Sequence, residues 1–150
     1  MESVILRKIE KSEAKDVSFL ESDCFSSPWP LQEIEYELSE NPCSMLLGVY
    51  QEGQLVAYLD FMITFDSATI NRICVSKSER KKGYASLLLK KMEEICKAQE
   101  EKVEFITLEV RKSNVPAISL YKKEGYNEIT IKKMYYDDGE DAIYMMRSLL

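Results

Sequence analysis

The sequence predicts an α/β fold: one domain, spanning residues 1–150, with a mixed central sheet of about seven strands and flanking helices. Three observations carry that expectation. Short β-rich apolar runs alternate with segments of helical periodicity along the chain. One run, residues 103–110, is largely apolar on both alternating faces, which suits a covered, central strand. The 150 residues are 45% hydrophobic and 31% charged, with five Gly and four Pro and no repeat, linker or low-complexity tract, so there is material for one sizeable core.

Residues 4–8 read as the first strand. Ser12 is placed to cap a helix running to about Cys24, because a hydroxyl oxygen can accept from the unpaired N–H groups of a first turn. Residues 25–30 form a loop, since Pro28 and Pro30 fix the backbone around the only Trp, Trp29. Leu31, Ile34 and Leu38 share a helical face, and Asn41-Pro42 ends that helix by steering the chain out of the α region. Residues 45–50, 55–63 and 67–75 follow as strands, turned at Glu52-Gly53 and at Phe65-Asp66-Ser67. Ala85, Leu88, Met92 and Ile95 make the apolar stripe of a helix ending near Gln99. After the central strand, Asn114 can cap a short helix with Pro116 in its first turn and Gly125 at its stop. Residues 126–132 and 142–147 are the closing strands, separated by the acidic turn Asp137-Asp138-Gly139-Glu140-Asp141.

Composition excludes several chemistries. Twenty basic residues face 26 acidic ones, a net charge of −6, which disfavours nucleic acid or an anionic membrane as partner and suits a cationic one. The sequence has no histidine, so Ser-His and Cys-His nucleophiles, His-ligated zinc and a histidine base are ruled out. No carboxylate or thiolate cluster stands at metal-ligand spacing, and no metal is expected. The four cysteines, Cys24, Cys43, Cys74 and Cys96, include no C-x-x-C pair and read as reduced packing residues of a cytoplasmic protein. Met1-Glu2-Ser3 leads straight into a strand-like run, so no signal peptide is expected, and no apolar stretch is long enough to span a bilayer.

Two blocks carry chemistry. Arg80-Lys81-Lys82-Gly83-Tyr84-Ala85 lies between a strand ending Ile73-Cys74-Val75 and a helix. A helix start offers unpaired amides to a phosphate, small residues permit close approach, and the basic side chains add charge. The second block is Leu108-Glu109-Val110-Arg111-Lys112-Ser113-Asn114, followed by Ala117 and Leu120-Tyr121. Glu109 can present a carboxylate from a strand end, or can simply pair with Arg111 or Lys112. Asn114 and Tyr121 are seven residues apart, about two helical turns, which places both on one helix face. An aromatic in Tyr121's position is otherwise a core residue.

Together, the R-x-x-G-x-A loop and the run L-E-V-R-x-S-N-x-x-A-x-x-L-Y-x-x-x-G-Y resemble the GNAT superfamily of acetyl-CoA-dependent N-acetyltransferases. Ser27-Pro28-Trp29 and Tyr135-Tyr136 with Glu140-Asp141-Ala142 bring the likeness nearer to its ribosomal-protein-alanine N-acetyltransferase (RimI) type. Ala85 stands where many relatives carry a glycine, and the turn after Tyr136 has no basic residue before Glu140. The resemblance implies that backbone groups of Ile73, Cys74 and Val75 bind the pantetheine arm of acetyl-CoA, with the Val75 amide polarising the thioester. It implies that Lys81, Lys82, Gly83, Tyr84, Ala85 and Ser86 cradle the pyrophosphate and that Asn114 touches the cofactor. Glu109 would be the general base and Tyr121 the acid for the departing thiolate. By resemblance the substrate would be a protein N-terminal α-amine, that of a small-subunit ribosomal protein starting with alanine; the alternatives are a lysine side chain or small-molecule amine as substrate, or a regulatory module that binds acetyl-CoA with little turnover. The chemistry is self-consistent: an α-amine with pKa near 8 is roughly one-tenth neutral at pH 7, so a modest base suffices.

Overall fold

In a computed structural model, which describes residues 3–150, the chain forms two compact units. One holds the described residues up to Met62 together with Asn71–Glu93; the other holds Ile63–Ile70 and Glu94–Leu150. The start of the chain at Met1-Glu2, on which the expectation of no leader rested, lies outside the described residues.

The elements are β1 (Val4–Lys8), α1 (Ala14–Cys24), α2 (Leu31–Ser39), β2 (Ser44–Gln51), β3 (Gln54–Thr64), β4 (Ser67–Val75), α3 (Tyr84–Lys97), β5 (Phe105–Arg111), α4 (Val115–Lys123), β6 (Asn127–Lys132) and β7 (Ala142–Ser148). The strands hydrogen-bond in the order β1-β2-β3-β4-β5-β7-β6, the seven-stranded mixed sheet that the sequence predicts. β1 with β2, β2 with β3, β5 with β7 and β6 with β7 are antiparallel, whereas β4 and β5 run parallel.

In the first unit, β2 and β3 are joined at Glu52 (φ 50°) and Gly53 (φ 83°). Positive φ at both turn residues matches the right-handed twist of the flanking strands. Its core packs Ile9, Val17, Leu20, Ile34, Leu46, Tyr58 and Cys74 together. Ser12 does not cap α1. Lys11–Glu13 form a 3-10 turn, Glu13 Oε1 accepts from the Glu10 N–H at 3.0 Å, and α1 starts only at Ala14. The longer carboxylate at Glu13 reaches back to the orphan amide, and Ser12 is left exposed.

In the second unit, β5 lies between β4 and β7, with Ile106, Leu108 and Val110 buried. This is the covered position that its two apolar faces require. α4 keeps the predicted punctuation: Asn114 Oδ1 accepts from the Ala117 N–H at 3.3 Å, and Gly125 turns the chain away at φ 96°. The Tyr126 N–H then closes onto the Tyr121 carbonyl at 2.9 Å, which aims β6 back along the sheet.

Candidate active site

The phosphate-type loop belongs to the first unit. β4 ends at Val75, and the Ser76 N–H donates to the Val56 carbonyl at 2.8 Å. A 3-10 turn at Lys77–Glu79 follows, and Arg80 Nε reaches back to the Val75 carbonyl at 3.1 Å. Lys81 (φ 67°) and Gly83 (φ 84°) both adopt left-handed backbone, and α3 begins at Tyr84. Lys81 is the costlier of the two, since a Cβ is crowded in that region. The Leu87 N–H donates to the Gly83 carbonyl at 3.1 Å, so the amides of Tyr84, Ala85 and Ser86 lie ahead of the helical ladder. A Cβ built at Gly83 would meet nothing within 4 Å. Open space at a glycine beside helix-start amides can admit a phosphate group. Within this unit the structure brings Ile73, Cys74 and Val75 to one end of the loop and Lys81 to Ser86 to the other. Tyr84 contributes backbone only, because its buried ring donates its hydroxyl to Gln51 Oε1 at 3.2 Å. Lys82 is ion-paired with Glu79.

The same unit contains a network that sequence reasoning missed. Glu21 is fully buried on α1, yet accepts four hydrogen bonds. Arg72 supplies two, from Nη2 at 2.8 Å and Nε at 3.0 Å; the Trp29 N–H gives a third at 2.8 Å and the Tyr58 hydroxyl a fourth. Burial alone would push the Glu21 carboxyl up, but the Arg72 and Tyr58 hydrogen bonds outweigh it and hold the group below the usual carboxylate range. The Arg72 guanidinium also donates to the Ser27 carbonyl at 3.3 Å and lies over the rings of Phe25 at 3.8 Å and Trp29 at 5.1 Å. The loop between α1 and α2 is thereby fastened to β4. A signal existed in the sequence: Glu21 falls on the helical stripe of Val17 and Leu20, where a carboxylate needs a buried cation.

Glu109, Asn114 and Tyr121 belong to the second unit. Glu109 pairs with neither Arg111 nor Lys112. Its Oε1 accepts from Lys132 Nζ at 2.7 Å, while Arg111 turns to Asp138 and Glu140, each at 2.9 Å. Lys132 Nζ also lies 4.7 Å from the Tyr144 ring, and Tyr144 stands opposite Glu109 in the β5–β7 register. The hydrogen bond to Glu109 raises the Lys132 pKa, so this ammonium stays charged beside the carboxylate. Nothing local in the sequence couples residue 132 to 109; the order β5-β7-β6 does so.

Tyr121 is 5% exposed, with its ring 5.7 Å from that of Tyr126. Burial, aided by Tyr136, lifts its phenol above the usual range, so it carries its proton throughout ordinary pH. Asn114 keeps its carbonyl in the helical ladder, accepting from the Ile118 N–H at 3.1 Å. It is the N-cap, with φ −83° and ψ 69°, and its exposed side chain is turned to the Ala117 amide. The acids of the late turn are spent locally: Glu140 on Arg111 and the Ser113 N–H, Asp141 on Lys133 and the Met134 N–H.

The sheet order and the strand–loop–helix after β4 define a GNAT-type α/β fold, and comparison with known proteins adds the activity. The Acetyltransferase (GNAT) family profile matches residues 14–126, which take in the β4–α3 loop, β5 and α4. The chain belongs to the acetyltransferase (GNAT) family, as an acetyl-CoA-dependent N-acetyltransferase. A Bacillus subtilis (strain 168) protein, provisionally named a ribosomal protein bS18-alanine N-acetyltransferase, is 36% identical over 141 residues, covering 93% of this chain and 92% of that protein. The ribosomal protein bS18-alanine N-acetyltransferase of Escherichia coli (strain K12) is 29% identical, covering 93% of this chain and 94% of its own. The crystal structure of the Escherichia coli ribosomal-protein-S18-alanine N-acetyltransferase superposes with a TM-score of 0.86 at 27% identity, over 98% of this chain and 94% of that one.

Proposed function

We propose that this enzyme moves the acetyl group of acetyl-CoA to a protein N-terminal α-amine, that of an alanine opening a small-subunit ribosomal protein. The observation that carries the substrate is the near full-length match to the two bacterial proteins named for that alanine, at 92% and 94% of their length. The whole chain acts as one GNAT domain, in the cytoplasm where such a substrate is made; among the described residues no helix is long and apolar enough to cross a membrane.

In this reading the backbone of Ile73, Cys74 and Val75 holds the pantetheine arm, and the Val75 amide donates to the thioester oxygen as negative charge grows there. Lys81, Lys82 and the amides of Gly83 to Ser86 hold the pyrophosphate. Asn114 contacts the cofactor through atoms other than its capping oxygen. Glu109 takes the proton of the attacking amine, directly or through water, and Tyr121 gives its proton to the leaving thiolate. The amine attacks directly, with no acyl-enzyme required.

A panel of substrates tests the proposal: peptides with N-terminal alanine, the same peptides with a blocked N-terminus and an internal lysine, and polyamines. Acetylation of the free-alanine peptides is the expected result. Activity confined to lysine peptides or polyamines overturns the substrate, and tight acetyl-CoA binding without turnover on any of them overturns the enzyme reading.

A further inference from the structure

The carbonyl of Val75 gathers two side chains from different parts of the first unit. Cys24 Sγ donates to it at 3.3 Å and Arg80 Nε at 3.1 Å. Cys24 is the last residue of α1, and Cys74 immediately precedes Val75 in β4. Cys74 lies within the apolar cluster of this unit, 7% exposed, and Cys24 packs against that cluster from a half-buried position. Both thiols are free. Fifty residues apart in sequence, they are drawn together only in the fold, where Cys24 Sγ reaches the carbonyl of the residue next to Cys74.

The pair is chemically unequal. The Cys74 thiol, as donor, and the Arg80 charge hold the Cys24 thiol below its ordinary range, against burial and Asp23. Burial and the neighbouring Cys24 hold the Cys74 thiol well above it. A half-buried, acidified thiol beside a buried protonated one is the arrangement of an attacking and a resolving cysteine.

We infer that Cys24 and Cys74 form a thiol–disulfide exchange site, in which Cys24 captures a low-molecular-weight disulfide and Cys74 converts the adduct to a Cys24–Cys74 disulfide. In the first step the Cys24 thiolate attacks R–S–S–R. The Cys24–SR bond forms, the S–S bond of the reagent breaks, and RS⁻ leaves and takes up the proton that Cys24 gave up. Cys74 then loses its proton and attacks Cys24 Sγ; the Cys24–SR bond breaks and a second RS⁻ leaves, protonated in turn. Two protein thiols are oxidised by two electrons, and one external disulfide is reduced to two thiols. The new bond ties the end of α1 to Cys74-Val75. Resting on the proposed placement of the acyl donor along Ile73 to Val75, that bond turns acetyl transfer off until a thiol reductant reverses it.

The test uses the full chain with glutathione disulfide, an alkylating quench, intact mass and peptide mapping. The expected product is a Cys24–Cys74 cross-link that forms ahead of any adduct at Cys43, the exposed cysteine, and is reversed by dithiothreitol. Cys74→Ala should stop at one glutathione adduct on Cys24, and Cys24→Ser should give neither product. If wild-type protein takes glutathione only at Cys43, or keeps a stable adduct on Cys24 with Cys74 intact, the exchange site is overturned; this readout needs no variant to fold. Acetyl transfer by the cross-linked protein should fall on the order of 100-fold, since small misplacements at a reacting centre cost that much, and should return on reduction. A cross-link that leaves transfer unchanged overturns the regulatory consequence. Failure of the reduced protein to bind acetyl-CoA, by contrast, would strike the proposed function while leaving the cross-link chemistry intact.

Discussion

Lys132 Nζ lies 2.7 Å from Glu109 Oε1, joining the last residue of β6 to the interior of β5 with β7 between them. The side chains are 40% and 21% exposed, so as an ion pair this contact stabilises the fold by less than about 1 kcal/mol. With Glu109 as the proposed base, stability and catalysis therefore separate at this position. Glu109→Gln should lower kcat by about 100-fold, with the acetyl-CoA Kd and the Tm little changed. A variant with a lower Tm and full turnover would reduce Glu109 to a structural partner of Lys132.

Tyr121→Phe keeps the ring against Tyr126 and removes only the hydroxyl proposed as proton donor. Turnover should fall by about 10- to 100-fold, while the Kd for acetyl-CoA, from calorimetry, stays within about twofold. Because burial raises the phenol pKa, the wild-type group keeps its proton as pH rises, and kcat should show no decline from it between pH ~8 and ~10. A basic limb in that window that vanishes in Tyr121→Phe would contradict the buried, protonated donor.

Arg72→Met leaves Glu21 fully buried without its cation. Breaking a buried pair from one side costs about 3–5 kcal/mol, and Arg72's own partial exposure (21%) points to the lower end. Urea denaturation at pH 7 measures the loss. The sign of the pH effect follows from the lowered Glu21 pKa: its stabilisation is present above the usual carboxylate range and disappears as pH falls through the depressed folded value. The variant should show a weaker acid-side loss than wild type. Equal stability of the two proteins at pH 7 would show that the network does not hold the loop of residues 25–30.

Asp60 is fully buried, with Oδ1 accepting from Asn71 Nδ2 at 3.4 Å and Oδ2 lacking a partner that donates. Burial, then the adjoining Glu37 carboxylate, raises its pKa to about 9, so at neutral pH Asp60 is protonated and can donate to Glu37. Here the folded value lies above the unfolded one, near 4. The folded state holds the extra proton between these values, and the pair's stabilisation is complete below pH ~4 and lost as pH rises towards 9. The slope is at most about 1.4 kcal/mol per pH unit. Asp60→Asn supplies the donor without the titration, so its stability from denaturation at pH 6 to 9 should be flatter and exceed wild type at pH 8 by about 1 kcal/mol or more. Identical slopes would rule out proton sharing between Asp60 and Glu37.

The features legible in advance were those that a few consecutive residues decide. Glu52-Gly53 had to turn a hairpin because left-handed backbone is needed there, and it does. Asn114, Pro116 and Gly125 bracket α4 because capping is local hydrogen-bond chemistry. The Arg80–Ala85 loop announced a helix start, and α3 begins at Tyr84 directly after the open Gly83. The misreading at Ser12 was local too: a 3-10 turn at Lys11–Glu13, held by Glu13 Oε1 on the Glu10 amide, delays the start of α1 to Ala14.

The sequence by itself determined the order of strands and helices, the family, and the residue types able to do acid–base work without histidine, because periodicity, turn chemistry and motif spacing are properties of the chain. Which of those residues meet was decided only by the tertiary structure. Lys132 rather than Arg111 faces Glu109, Arg72 meets Glu21, and Cys24 reaches the Val75 carbonyl beside Cys74. Each partnership depends on strand order or on how a helix docks, and a buried charge or thiol takes its properties from whatever the fold sets beside it.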